Sequence, residues 1–417
     1  MVKLKSVGCL ILTLSLLSLS GCGTEKDNTK TTIEVFNNKS ENQQIMKTFI
    51  KEYEELNPNV KVVFSSPPDA GTVLRTRLVK NDIPNIISFG GDITYTELAD
   101  VGMLEDLSNE TFIENIVPAY KDMTVDLQKD KNKLFGVPYA TNASGVIYNE
   151  EIFKKLNLEI PKTWDEFVTI CQILEENNIT PIEATYKDAW TLTAVFNPLA
   201  GILAKDNLMV DRKSGKQKFE EGWIKPLEQL SEVMTFTQKD AMGTGYADGV
   251  QNFAKGKSAM LINGTWAIPE VQKANPDIKV SLFALPASND VTSNKVTSGV
   301  DVMFMIGKDT KNQKESKDFI EFLLQKEQSE RYVEDQFAFS AQKGVKQDNP
   351  SLVNVSPMIE SGQVNDFIDH FLPNGYDLAA LLSEFALEQN KKNVDTNKNI
   401  NRILKKMDKA YDASNMD

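Results

Sequence analysis

The side chains best suited to meet a ligand are four tryptophans, Trp164, Trp190, Trp223 and Trp266. An indole can stack on the C–H face of a sugar ring, while Asp, Glu and Asn side chains bond the hydroxyls round its edge. Trp164, at a helix start, and Trp223 read as packing residues. Trp190 and Trp266 stand in loop-like contexts and read as the binding pair. The inventory for covalent chemistry is thin. His370 is the only histidine, and its surroundings (IDHFLPNG) carry no nucleophile signature, so it reads as structural. The chain has no HExxH, GxSxG, paired CxxC or GxxxxGK[ST]. A carboxylate-pair glycosidase stays open, because acidic residues abound and nothing marks out a pair. A binder of iron would want clustered Tyr or His ligands, which one histidine disfavours. A polyamine binder would also use acids and aromatics and is harder to set aside.

The elements that must hold these residues alternate. Thr32 to Phe36 reads as a strand. A helix follows from Ser40, with Gln43 at the capping-box position and Ile45, Phe49, Tyr53 and Leu56 on one face. Val60 to Phe64 is a second strand, Leu74 to Lys80 a helix, and Asn85 to Phe89 a third strand. This order predicts a mostly parallel α/β sheet. Leu134 to Tyr148 reads as a crossing to a second lobe. There Thr163 caps a helix, with Glu166 three residues on and Phe167, Ile170, Cys171 and Leu174 as its buried face. Lys279 to Pro286 reads as a strand that crosses back, Ser298 to Ile306 as a first-lobe strand, and the chain from Tyr376 as helical.

The start of the chain has chemistry of another kind. Lys3 and Lys5 precede an apolar run from Val7 to Leu19, which is too short to span a membrane and reads as a secretory signal. It ends in Leu19-Ser20-Gly21-Cys22, which resembles the bacterial lipobox, so Cys22 is expected to be acylated. Residues 1–21 are then the signal and 22–30 a polar tether. Removal of residues 1–21 leaves 396 residues with a net charge of −15, enough for two or three domains. An acidic surface argues against nucleic acid and against direct adhesion to anionic lipid, so the anchor must hold the protein. Cys171 is the one cysteine left in the body, so no internal disulfide is expected.

Two segments carry a resemblance to a family. The first is Gly145-Val146-Ile147-Tyr148-Asn149, then Ile152-Phe153, then Pro161 to Phe167. The second is Phe253-Ala254-Lys255-Gly256-Lys257-Ser258-Ala259-Met260, running to Gly264-Thr265-Trp266. In this order and spacing they resemble the family 1 extracellular solute-binding proteins of ABC importers, the sugar-binding group related to maltose-binding protein. The resemblance implies a two-lobe α/β fold of the type II periplasmic-binding-protein kind, with a cleft between lobes. The divisions expected are 31–138 and 286–340 for the first lobe, and 139–285 and 341–417 for the second. It implies a monomer with no cofactor and no metal, whose partners are a carbohydrate and the permease subunits. The protein would stand on the outer face of the cytoplasmic membrane. By position, the first-lobe wall would come from Phe36, Asn37, Lys39, Glu41, Asp92, Gly299 and Asp301. The second-lobe wall would come from Tyr139, Asn142, Trp190 and Trp266. Asn38-Lys39-Ser40-Glu41 looks like a feature of members that bind raffinose-type oligosaccharides, although Glu41 could equally serve the following helix's dipole. Many relatives have two glycines where this chain has Ser298-Gly299, which leaves the hydrogen bonding there open.

Overall fold

The computed structural model describes residues 30–204 and 208–415. The expected signal, Cys22 and most of the tether lie outside them. The rest forms two lobes, each built on a six-stranded sheet. The strands are β1 (Thr31–Asn37), β2 (Val60–Ser65), β3 (Ile86–Phe89), β4 (Gly136–Thr141), β5 (Ser144–Asn149) and β6 (Thr180–Glu183). They continue with β7 (Ser258–Gly264), β8 (Val280–Phe283), β9 (Val296–Thr297), β10 (Val300–Ile306), β11 (Phe339–Ser340) and β12 (Val364–Asn365).

The first sheet runs β11-β4-β10-β3-β1-β2. Alternate apolar residues place Ile33 and Val35 of β1 in its core, with Met46, Phe49 and Tyr53 of the helix Gln43–Leu56 packed over them. The β1 to β3 part is parallel, as the alternating elements predict. The sheet as a whole is not mostly parallel, because β10 enters antiparallel between β3 and β4, and β11 is antiparallel to β4. β10 arrives from the other lobe, while β11 follows the first-lobe helices Gln313–Leu323 and Lys326–Gln336, and antiparallel entry spares both strands the crossover that a parallel strand needs. The expected capping box at Ser40 does not form. Its hydroxyl turns to Glu41, and the helix begins at Gln43, after Asn42.

The second sheet runs β12-β9-β5-β7-β6, with β8 also paired to β5. Its core includes Phe167, Ile170, Cys171 and Leu174 from the helix Trp164–Glu176, and Phe385 and Leu404 from the two C-terminal helices. Thr163 and Glu166 make the expected capping box. Among the described residues no helix is long and apolar enough to cross a membrane.

Strand pairing moves the expected lobe divisions. β4 stays in the first sheet to Thr141, so the chain crosses at Asn142-Ala143 and not at 138. β8 does not cross back near 285; it pairs with β5, and β9 keeps the chain in the second sheet to Thr297. The second crossing is therefore Ser298-Gly299. The third follows Lys343, whose N–H still donates to Asn115 of the first lobe (2.8 Å), before Pro350, whose carbonyl accepts from Ser281 of the second (3.3 Å).

Candidate functional site

The first two crossings lie side by side. The Asn142 N–H donates to the Gly299 carbonyl at 3.3 Å, while Thr141 pairs with Val300 and Ser144 with Thr297. Around this junction the two lobes bring a charged cluster and an aromatic face together.

The charged cluster begins where β10 is irregular. The register of β10 against β4 shifts on either side of Val302, and Asp301 falls in the unpaired stretch. Its carboxylate accepts from Lys39 Nζ through one oxygen and from Asn142 Nδ2 (3.4 Å) through the other. Glu41, with 59% of its side chain exposed, completes an ion triplet at 3.4 Å from Lys39. Burial alone would lower the Lys39 pKa; the Asp301 and Glu41 carboxylates outweigh it and the net shift is upward. Burial opposes ionisation of Glu41, but a backbone hydrogen bond and Lys39 bring its pKa below the usual value.

A second charged group faces the same crossing. His370 Nδ1 lies 2.8 Å from Asp366 Oδ1, four residues earlier. Burial favours the neutral imidazole, yet Asp366, with Asp369 and Asp92 behind it, raises the pKa to about 9. A Cβ at Gly299 would lie 2.6 Å from Asp366 Oδ1 and 2.9 Å from the His370 ring, so only glycine lets this segment seat against the crossing. Asn197, from the helix Trp190–Leu203, donates to Asp369 at 3.0 Å.

The aromatic face follows β7. The Thr265 N–H donates to the Ala143 carbonyl (2.9 Å), which places Trp266 beside the first crossing. Its indole packs directly against Gly264: a Cβ there would sit 2.1 Å from two ring carbons. Trp190 opens its helix 41% exposed and meets Tyr246 edge-on, with ring centroids 5.0 Å apart. Three buried amide atoms near the junction lack a protein partner: Asn142 Oδ1, Asn197 Oδ1 and Asn263 Nδ2.

Not every expected residue is here. Asn37 is fully buried, and its amide donates to the Lys39 carbonyl (2.5 Å), Asn42 (3.1 Å) and Ser66 (3.1 Å); it shapes the loop that carries Lys39. Tyr139 is buried in the first core against Phe304 and Tyr332, with centroids 5.0 and 4.9 Å away. β4 extends further than expected and is buried along its whole length, so Tyr139 packs into the core whichever face it takes. Phe36 is buried and stacked on Phe89. Asp92 caps the helix Ile93–Asp100, accepting from the Thr94 N–H at 2.8 Å, and lies near enough to His370 to act on its charge. Trp223 is buried, stacked on Phe219 at 3.8 Å, and Trp164 donates to Glu232 at 3.0 Å. The cluster of Asp366, Asp369, His370 and Asn197 was not expected. The one signal for it was Asp-Phe-Ile-Asp-His, with acids four and one residues before the only histidine.

Two lobes joined by adjacent crossings, with charged and aromatic groups converging at the junction, define a two-lobe binding protein. The model of the bacterial extracellular solute-binding protein family matches residues 37–330, and the chain belongs to this family. It is similar to the multiple sugar-binding protein of Streptococcus mutans, 29% identical over 83% of this chain and 85% of the relative. Among solved structures it resembles apo RafE from Streptococcus pneumoniae, with a TM-score of 0.81 and 25% identity over 94% of this chain and all of that one. Against RafE in complex with raffinose the TM-score is 0.71, with 26% identity over 92% of this chain and all of that one.

Proposed function

We propose that this chain is the capture component of a carbohydrate importer. It takes an oligosaccharide into the cleft and hands it to the transmembrane subunits of an ABC transporter. The observation that carries the reading is the indole of Trp266 packed against Gly264 beside the first crossing, whose Asn142 belongs to the Lys39–Asp301–Asn142 cluster. A flat apolar platform beside fixed hydrogen-bonding groups suits the two faces of a sugar ring. The names of the relatives support it: one binds multiple sugars and another is solved with raffinose.

In this reading Trp266 and Trp190 stack on sugar rings. Asp301, Lys39, Asn142 and Glu41 bond hydroxyls, and Gly299 lets the groups of both lobes approach. The sugar bridges both walls only when the lobes close, so it shifts the population toward the closed form, which the permease recognises. The chain does no covalent chemistry. It acts as a monomer, held to the outer face of the membrane by a lipid on Cys22.

The test is a thermal-shift and calorimetric screen of the full chain against raffinose, stachyose, maltotriose, spermidine and divalent cations. A ligand that binds only the native state raises the unfolding midpoint by mass action. A sugar that raises it, with the shift abolished in Trp266→Ala, supports the reading. A response to spermidine or metal ions alone overturns it.

A further inference from the structure

We infer that the site selects uncharged saccharides and rejects acidic ones, uronates and sugar phosphates among them; this rests on the carbohydrate reading above. The selection comes from how the site's charges are spent. Its two cations are already held by carboxylates of the protein: Lys39 by Asp301 and Glu41, and His370 by Asp366. Counting Asp92 and Asp369, which also face His370, the cluster holds five carboxylates against two cations, a net charge of −3. An anionic ligand would have to break an internal ion pair or sit beside carboxylates that nothing balances.

The amide atoms left without a partner at the crossing are neutral, and two of the three accept. Asn142 turns its Nδ2 to Asp301, and Asn197 turns its Nδ2 to Asp369. A carboxylate can only accept, so it fixes which end of each amide faces it, and both Oδ1 atoms are left facing away without a donor. Asn263 Oδ1 is occupied by the Gly264 N–H (2.9 Å), which leaves its Nδ2 as one donor. Two buried acceptors and one donor match hydroxyls, which donate and accept. An ionised carboxylate or phosphate only accepts, and would leave both carbonyls unsatisfied in addition to the charge repulsion.

The experiment is calorimetry on the full chain with raffinose and with trigalacturonate, at low and high salt. Raffinose is expected to bind with an affinity that salt barely moves, and trigalacturonate at least tenfold more weakly, the gap narrowing as salt screens the repulsion. In Asp301→Asn, which releases Lys39 from its closer partner, the ratio of the two dissociation constants should fall about tenfold toward the acidic ligand. Equal or tighter binding of trigalacturonate by the unaltered chain overturns the inference and leaves the carbohydrate reading standing. An unchanged ratio in Asp301→Asn overturns the charge-pairing mechanism. If no saccharide binds and spermidine does, the carbohydrate reading falls and this inference with it.

Discussion

At the residue scale, small groups decide what the large ones can do. Gly264 has no side chain for one reason that geometry makes plain: the indole of Trp266 occupies the space. Gly264→Ala should leave the protein folded, at a cost of about 1–3 kcal/mol, because one methyl group forces a nearby side chain to move. It should weaken sugar binding more than tenfold, read by calorimetry, because the stacking platform is what moves. His370 gives a pH test. Its pKa rises on folding to about 9, through Asp366, Asp369 and Asp92, so its charge stabilises the native state. That contribution is complete below about pH 6.5 and is lost as pH rises through 9. Stability measured by denaturant titration should fall by on the order of 2 kcal/mol between pH 6 and pH 10. In His370→Gln the fall should shrink. Asn37, expected at the site, belongs to this scale as a structural residue. Asn37→Ala removes a buried amide's bonds to Asn42, Ser66 and the Lys39 carbonyl, and should cost about 1–3 kcal/mol in the same titration.

At the scale of elements, the sequence was readable where its signals are local. The capping box at Thr163 and Glu166 forms as read, because both partners lie within one turn and nothing distant competes for them. Ser40 and Gln43 have a similar pattern and fail, because the neighbouring Asn37 and Asn42 are tied to each other and to Tyr332 and fix the loop another way. The same limit applies to Tyr139. Its type and place suited a cleft wall, but β4 runs on past it and is buried throughout, and pairing with β10 and β11 sets that. Asp366 and His370 were out of reach for a related reason. Their role depends on contact with Gly299, 67 residues back along the chain. Asp92 was legible as important but not as a cap. Asp92→Ala should lower stability by about 1 kcal/mol through loss of its bond to Thr94, measured by thermal unfolding.

At the scale of the whole molecule, the two-lobe α/β fold follows from alternating elements and the family motifs, while the positions of its crossings do not. The crossings are short, two residues each at Asn142-Ala143 and Ser298-Gly299, and they are hydrogen-bonded to each other. With the third crossing, between Lys343 and Pro350, they confine rotation of the lobes to a few backbone torsions, the geometry of a hinge. Small-angle scattering should show the radius of gyration contract when a bound sugar is added, and stay unchanged with a sugar that calorimetry shows not to bind.

The place of β10 has a consequence for how the protein is made. This strand lies between β3 and β4, yet it reaches the first sheet only after the chain has passed through most of the second lobe. The earlier strands cannot close their sheet while Val300–Ile306 is still to come, and β3 and β4 expose unpaired edges until it arrives. An exported chain that emerges from its N-terminal end would thus remain uncommitted until roughly three quarters of its length is across. Late commitment makes closure of the first lobe wait on a segment that follows most of the second.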